Sequence, residues 1–337
     1  MELAQLIAEA GADWVDWPVE RAIFGTTDPA AITVEIERFA RQELGSPVRE
    51  PLFFESSVGS VFGLRLGDGR EVVIKAHQPN EPLDYLNAVH TVCRHLGESG
   101  FPCPRPLLAP RPLGLGHGTV EELRADGDWA DAHDPAVRRR MAELLAILID
   151  LGRDVVDLPG LRPGLLSRIE EGRIWPRPHS AIFDFEATAT GAERIDELAM
   201  RARCVLRQPT GERVLGHVDW SVKHFRFRDG EVTAIYDWDS LAVDCEPVIV
   251  GEAARGFTFT WRIPVRLAPS LDESRAFVSE YETARGTPFT PAERETAGAA
   301  AVYALAYTAR CEHCLGSRTP GNALDALATH GEELFAL

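Results

Sequence analysis

The period of the hydrophobic positions changes several times along the chain, and the changes divide it. In residues 1–50, Ile32, Ile36, Phe39 and Leu44 fall near helical spacing after Asp28-Pro29, and Gly45 closes the run. That predicts a helical N-terminal extension. From Leu52 the period shortens to that of strands: Leu52–Phe54, Phe62–Leu66 and Glu71–Lys75. Small residues (Ser56, Ser57, Gly59, Ser60) separate the first two, and Asp68-Gly69 makes a turn before the third. Pro82 to Gly100 reads as a helix with Leu86, Val89, Val92, Cys93 and Leu96 on one face. Phe101-Pro-Cys-Pro-Arg-Pro106 is extended, because each proline bars the residue before it from the helical region. Leu107–Ala109 and Gly118–Leu123 predict two more strands, and polar Arg124–Asp128 a connector. Beyond it, Pro135–Arg153 predicts an amphipathic helix and Ala192–Cys204 a further helix. Between Asp154 and Val214 runs a proline-marked segment, read as either a substrate loop or a structural insertion. After Asp239 the pattern predicts helices, two of them opened by the capping boxes Ser270–Glu273 and Thr290–Glu293.

The stretch Leu215–Asp239 adds chemistry to this pattern. His217-Val-Asp219 and Asp237-Trp-Asp239 flank two short strands, Phe225–Phe227 and Val232–Tyr236, joined by Asp229-Gly230. Asp and Gly tolerate the positive φ that a two-residue hairpin demands. A hairpin brings its ends together, so Asp219 and Asp237 arrive in one place. Two carboxylates so held repel each other unless a cation lies between them, and a divalent metal is the natural occupant. The plain alternative is a surface hairpin with solvated acids. In the first half, the small-residue loop lets backbone N–H groups approach a phosphate, although such turns also occur without one. Lys75 ends an apolar strand, where an ammonium calls for an anion unless it reaches solvent at an edge.

Composition narrows the class. The chain has 337 residues, 45% of them hydrophobic, with no apolar run of membrane-spanning length, which predicts two lobes and no membrane partner. Its acidic start has no basic leader and its six cysteines are scattered, both pointing to a reducing cytoplasm. A net charge of −17 without a basic stripe excludes nucleic acid as a partner and allows a cationic substrate. Asp244, Glu246, Glu252 and Glu280 are candidate anchors for a substrate amine, each with the alternative of a solvated acid. Cys311-Glu-His-Cys314 lacks a second ligand pair and reads as helix packing.

A β lobe with a small-residue loop and a lysine, a connector, helices, then two acidic motifs: this order resembles the aminoglycoside phosphotransferase family of the protein-kinase-like superfamily. The family's catalytic motif reads His-x-Asp-x-x-x-x-Asn and its metal motif Asp-Trp-Glu/Asp after a hairpin. Here His217-Val-Asp219-Trp-Ser-Val-Lys-His224 and Asp237-Trp238-Asp239 fall in that order, with 237 − 219 = 18 positions between the acids. Over roughly residues 50–310, the resemblance implies an α+β, bilobal protein-kinase-like fold. Its parts are a helical extension (1–50), a small antiparallel β lobe (51–126) and a larger, mostly helical C-terminal lobe (127–337). It further implies transfer of the γ-phosphoryl group of ATP or GTP to a hydroxyl of a small molecule, aminoglycoside-like or another metabolite, by a monomer or homodimer. Asp219 would take or orient the hydroxyl proton. Asp237 would bind Mg²⁺, with Asp239 beside it. Lys75 and the loop Ser56, Ser57, Gly59 and Ser60 would hold phosphates, and the connector around Glu122 and Leu123 would meet the base. His217 would brace the backbone.

Two positions depart from the family's pattern. Its metal-binding Asn is here His224, which either ligates a metal, with Mn²⁺ then suited, or only packs. The helical Glu that pairs with the lysine falls at Val89, with Asn87 and Glu81 the nearest polar residues. A nucleotide-binding pseudokinase is therefore the competing expectation.

Overall fold

The computed structural model describes residues 2–12, 16–164, 172–180, 182–316 and 320–337. It divides into two compact units, Met1–Glu98 with Cys103–Ala125, and Ser99–Pro102 with Asp126–Leu337.

The first unit opens with three helices, α1 (Leu3–Ala10), α2 (Pro18–Phe24) and α3 (Pro29–Glu43). Asp28 caps α3 by accepting from the Ala30 N–H at 3.1 Å, and Pro29 supplies a first-turn residue that has no N–H to satisfy. The strands β1 (Val48–Ser56), β2 (Ser60–Leu66) and β3 (Glu71–His77) follow, then α4 (Leu83–Glu98), β4 (Pro106–Leu113) and β5 (Gly116–Glu122). The sheet is antiparallel throughout, in the order β1–β2–β3–β5–β4. Ile7, Ile23, Ile32, Ile36 and Phe39 of the leading helices share one core with Phe62, Leu64 and Ile74 of the sheet. Burying each such side chain contributes about 1.5–3 kcal/mol, so these helices and the sheet stabilise one another.

In the second unit come α5 (Pro135–Gly152), α6 (Glu193–Val205) and β6 (Arg213–His217). The hairpin β7 (Phe225–Arg228) and β8 (Glu231–Ile235) turns through Asp229 (φ 52°) and Gly230 (φ 83°), the two positive angles that this turn requires. The chain after Asp239 was expected to be helical, yet β9 (Leu241–Cys245) intervenes and pairs antiparallel with β6, Gly216 opposite Ala242. Beyond β9 lies α7 (Glu246–Ala254), every residue of which is buried. With no polar face it has no helical period, and it was illegible for that reason. The helices α8 (Leu271–Arg285) and α9 (Pro291–Cys314) both carry complete capping boxes, and α10 (Ala323–His330) precedes a closing 3-10 turn. Helices α6, α7 and α10 pack around α9, whose alanines let them approach closely. Of the proline-marked segment, residues 165–171 and 181 lie outside the described residues.

Candidate active site

Unit 2 builds its acidic site on the β6–β9 pair and the β7–β8 hairpin. The Val218 N–H donates to the Ser240 carbonyl (2.9 Å) and the Tyr236 N–H to the His224 carbonyl (3.0 Å), tying the two motifs across the hairpin base. Trp238 is fully buried, donates its indole N–H to the Ile235 carbonyl (2.7 Å), and stands edge-on to His217 and Phe101. The extended segment read around Pro102 contributes here too, since the Pro102 carbonyl accepts the Ile235 N–H at 2.7 Å.

Asp237 adopts a left-handed backbone, φ 69°. For a residue with a Cβ this costs on the order of 1–3 kcal/mol, and it persists where the surroundings over-determine it. The Ser240 N–H and hydroxyl do so, reaching the Asp237 carbonyl (3.0 Å) and Oδ2 (3.1 Å).

Asp219, His224 and Asp237 each offer one ligand atom to a group whose members all lie within 4.8 Å of one another. His224 Nε2 sits 3.0 Å from Asp219 Oδ2 and 3.6 Å from Asp237 Oδ2. Two carboxylate oxygens and an imidazole nitrogen form a donor set that fits a divalent cation, the nitrogen tilting the set from Mg²⁺ towards Mn²⁺. Asp239 falls outside this group. Nε2 cannot both donate a proton to Asp219 and ligate a metal, so ligation would release one of the contacts on Asp219.

Three donors converge on Asp219: His224, the Lys223 ammonium at 2.8 Å on Oδ2, and the Ser221 hydroxyl at 3.0 Å on Oδ1. Burial alone would push this carboxyl up; the Lys223 and His224 charges outweigh it and hold the group well below the usual carboxylate range. His217 braces the same turn. Its Nε2 lies 3.3 Å from the Tyr236 carbonyl and its Nδ1 accepts the Asp219 N–H at 3.3 Å, which assigns the neutral Nε2–H tautomer. Burial, reinforced by His224, lowers its pKa from 6.5 to about 4.

That shift carries a sign. Between about pH 6.5 and 4 the unfolded chain binds a proton at His217 that the folded chain excludes, so stability falls as pH drops through this window. We expect a loss of about 2 kcal/mol from this group between pH 7 and pH 5, read from denaturant midpoints. A His217→Gln variant with the same pH dependence would contradict the assignment.

Unit 1 holds the other predicted residues. Ser56 ends β1, and the Ser57 N–H closes a tight turn onto the Gly59 carbonyl at 3.1 Å. A Cβ on Gly59 would stand 2.8 Å from the Ala76 carbonyl, so only glycine fits against β3 there. The Ser60 hydroxyl turns inward to the buried Glu20 carboxylate (2.8 Å), which removes that side chain from the loop's outward-facing set. Lys75 is partly buried on β3, opposite Val61 and Thr119. The Glu122 N–H donates to the Arg105 carbonyl (3.0 Å) and the Leu123 N–H to the Glu71 carbonyl (3.1 Å), so both N–H groups are engaged within the unit. On α4, Asn87 lies on the exposed face.

Two of the candidate amine anchors, Glu246 and Glu280, are paired with arginines. Glu246 takes the Tyr281 hydroxyl (2.5 Å) and Arg285 (3.1 Å), while Glu280 pairs with Arg138 through two bonds of 2.9 Å. Within Cys311–Cys314, burial raises the Cys311 thiol to about 12, and the Cys314 sulfur sits 3.0 Å from the Thr188 hydroxyl. Sequence reasoning missed Lys223, Ser221 and Ser240. Lys223 had one signal: a cation four residues after the acid, in the same turn.

The sequence model of the phosphotransferase enzyme family matches residues 55–244, more than half of the chain. No curated protein matches in sequence. Among solved structures, an amicoumacin kinase in complex with AMP-PNP, Ca²⁺ and Ami superposes with a TM-score of 0.63 at 14% identity, over 89% of this chain and 92% of that one. A macrolide 2′-phosphotransferase from Brachybacterium faecium gives 0.53 at 13%, over 87% and 96%. An ethanolamine kinase from Plasmodium vivax gives 0.54 at 12%, over 90% and 90%. The identities are low and show a shared kinase-like α+β fold; with the sequence match over 55–244, the chain belongs to the phosphotransferase enzyme family.

Proposed function

We propose that this phosphotransferase moves the γ-phosphoryl group of ATP, or of GTP, to a hydroxyl of a small molecule. The observation that carries the reading is the Asp219–His224–Asp237 group: three side chains whose ligand atoms lie within 4.8 Å of one another and fit a divalent cation, one of them the ionised Asp219 carboxylate. Such chemistry needs charge neutralisation and in-line positioning more than covalent help. Asp219 accepts the hydroxyl proton as the oxygen attacks. Asp237 and His224 hold the metal, Mg²⁺ or Mn²⁺, which when bound offsets charge on the nucleotide's phosphate oxygens, and Asp239 supports them. Lys75 and the backbone of Ser56–Ser60 bind the phosphates, with Glu122 and Leu123 at the base. We read 1–50 as an extension, 51–126 as the nucleotide lobe and 127–337 as the catalytic and acceptor lobe, in a cytoplasmic protein.

Support for nucleotide and divalent cation comes from the amicoumacin kinase complex, whose ligands are AMP-PNP and Ca²⁺. Small hydroxylated acceptors recur among the related structures, from ethanolamine to spectinomycin. Calorimetric titration with MgADP, followed by an assay of metal-dependent phosphate release from ATP and GTP, tests the reading. Binding with release supports it; binding without release under Mg²⁺ and Mn²⁺ indicates a pseudokinase; no binding by the folded protein removes both.

A ligand role for His224 has its own consequence. Exchanging imidazole for an amide oxygen in His224→Asn should move the preference from Mn²⁺ towards Mg²⁺ by roughly tenfold in the ratio of the two activities. An unchanged ratio with a lowered melting temperature would reduce His224 to packing.

A further inference from the structure

Lys223 is the charged residue at this site that no motif assigns. Its ammonium lies 2.8 Å from Asp219 Oδ2 and 4.8 Å from the ring centre of Trp261, and its side chain is 14% exposed. Its backbone is pinned, the N–H donating to the Phe259 carbonyl at 3.3 Å within the 3-10 turn Val222–His224. An ammonium carries three N–H donors. One is spent on Asp219, and the Trp261 face attracts the charge without binding a proton strongly, so two donors of a largely shielded cation have no oxygen partner among the described residues. Other basic side chains face Asp219 as well: Arg255 donates to the Thr308 hydroxyl (3.2 Å) and lies on the Phe259 ring (5.3 Å), with its buried Nε unpaired among the described residues; His179 meets the Tyr307 hydroxyl (2.8 Å); and His224 stands between Asp219 and Asp237.

We propose that Lys223 is a catalytic cation that leaves its resting contact on Asp219 to bind the oxygens of the group in transfer. This rests on the phosphotransferase reading above. In the step, the acceptor oxygen forms a bond to the γ-phosphorus. The bond from that phosphorus to the bridging oxygen breaks, and the nucleoside diphosphate departs with the electron pair. The hydroxyl proton passes to Asp219. Reacting atoms must approach to about 3–3.5 Å, so a cation bonded to the carboxylate that takes this proton starts within side-chain reach of the phosphoryl oxygens. The lysine stem is flexible enough to make the move, and the Trp261 face keeps the ammonium near when Asp219 loses its charge. A donor that strengthens its bonds as charge develops on those oxygens lowers the barrier, not merely the energy of the bound nucleotide.

The test compares wild type with Lys223→Met, which keeps the apolar stem, and Lys223→Arg, which keeps the charge. Three quantities are read: Mg²⁺-dependent phosphate release from ATP with water as acceptor, affinity for MgADP, and affinity for MgADP with aluminium fluoride, a mimic of the group in transfer. Lys223→Met should slow release by roughly 10²–10³-fold and weaken the fluoride complex by a comparable factor, with MgADP affinity changed less than about threefold. Lys223→Arg should recover part of both. A Lys223→Met protein with wild-type release and fluoride affinity overturns the proposal, as does an equal loss of MgADP and fluoride binding, which marks a structural role. Wild type that neither binds nor hydrolyses nucleotide removes the underlying reading as well, and the two failures are thereby distinguished.

Discussion

An Asp219→Asn protein is expected to release phosphate from nucleotide, or transfer it to an acceptor, roughly 10²–10⁴-fold more slowly than wild type. That corresponds to about 3–5.5 kcal/mol of lost transition-state stabilisation. The amide keeps the shape and can still accept from Ser221, yet it cannot take a proton. Its loss of charge also leaves Lys223 without a counter-ion, at a cost to stability of about 1–3 kcal/mol. MgADP affinity should stay within a few-fold, because Asp219 is assigned to the hydroxyl and not to the diphosphate. Parallel rate and binding measurements check this. A variant with near-wild-type rate would remove Asp219 from the chemistry; one that is unfolded by circular dichroism would leave the comparison to Asp219→Glu, which keeps the charge and displaces it, and should lose rate alone.

The second large effect is on stability. Trp238→Ala should destabilise the protein by about 3–5 kcal/mol, since it empties a fully buried indole site and leaves the Ile235 carbonyl without its donor. The same indole holds the turn in which Asp237 takes its left-handed conformation, so metal affinity should fall together with the denaturation midpoint. Trp238→Phe retains most of the apolar volume, lacks the N–H, and should cost about 1–2 kcal/mol. Urea denaturation of the three proteins orders them; equal midpoints would show that Trp238 does not anchor the turn.

Why these residues were legible in advance is physical. Asp229-Gly230 can be read because few dipeptides accept two positive φ angles, and once the turn is placed the convergence of Asp219 and Asp237 follows from strand geometry. Capping boxes at Ser270 and Thr290 are local in the same sense, fixed within four residues. The five-stranded sheet was readable through its alternation and its turns. By contrast, α7 is buried along its whole length and β9 over its first three residues, so their composition has no period to detect. Ser60 was read as part of a phosphate loop, and its inward hydrogen bond to Glu20 depends on a helix forty residues earlier, which no local pattern reveals. Glu246 and Glu280 were open to two readings as acids, and only long-range partners decided them. Lys223 was passed over because the catalytic motif directs attention to its fixed positions and treats the residues between as spacers.

Phosphoryl transfer to a small-molecule hydroxyl is tested most directly by incubating the protein with MgATP and an acceptor library, followed by mass spectrometry. At least one hydroxylated compound should gain the mass of one phosphoryl group, the gain should need a divalent metal, and Asp219→Asn should abolish it. A protein that binds MgATP with its fold intact, yet phosphorylates no acceptor and releases no phosphate under Mg²⁺ or Mn²⁺, would contradict it.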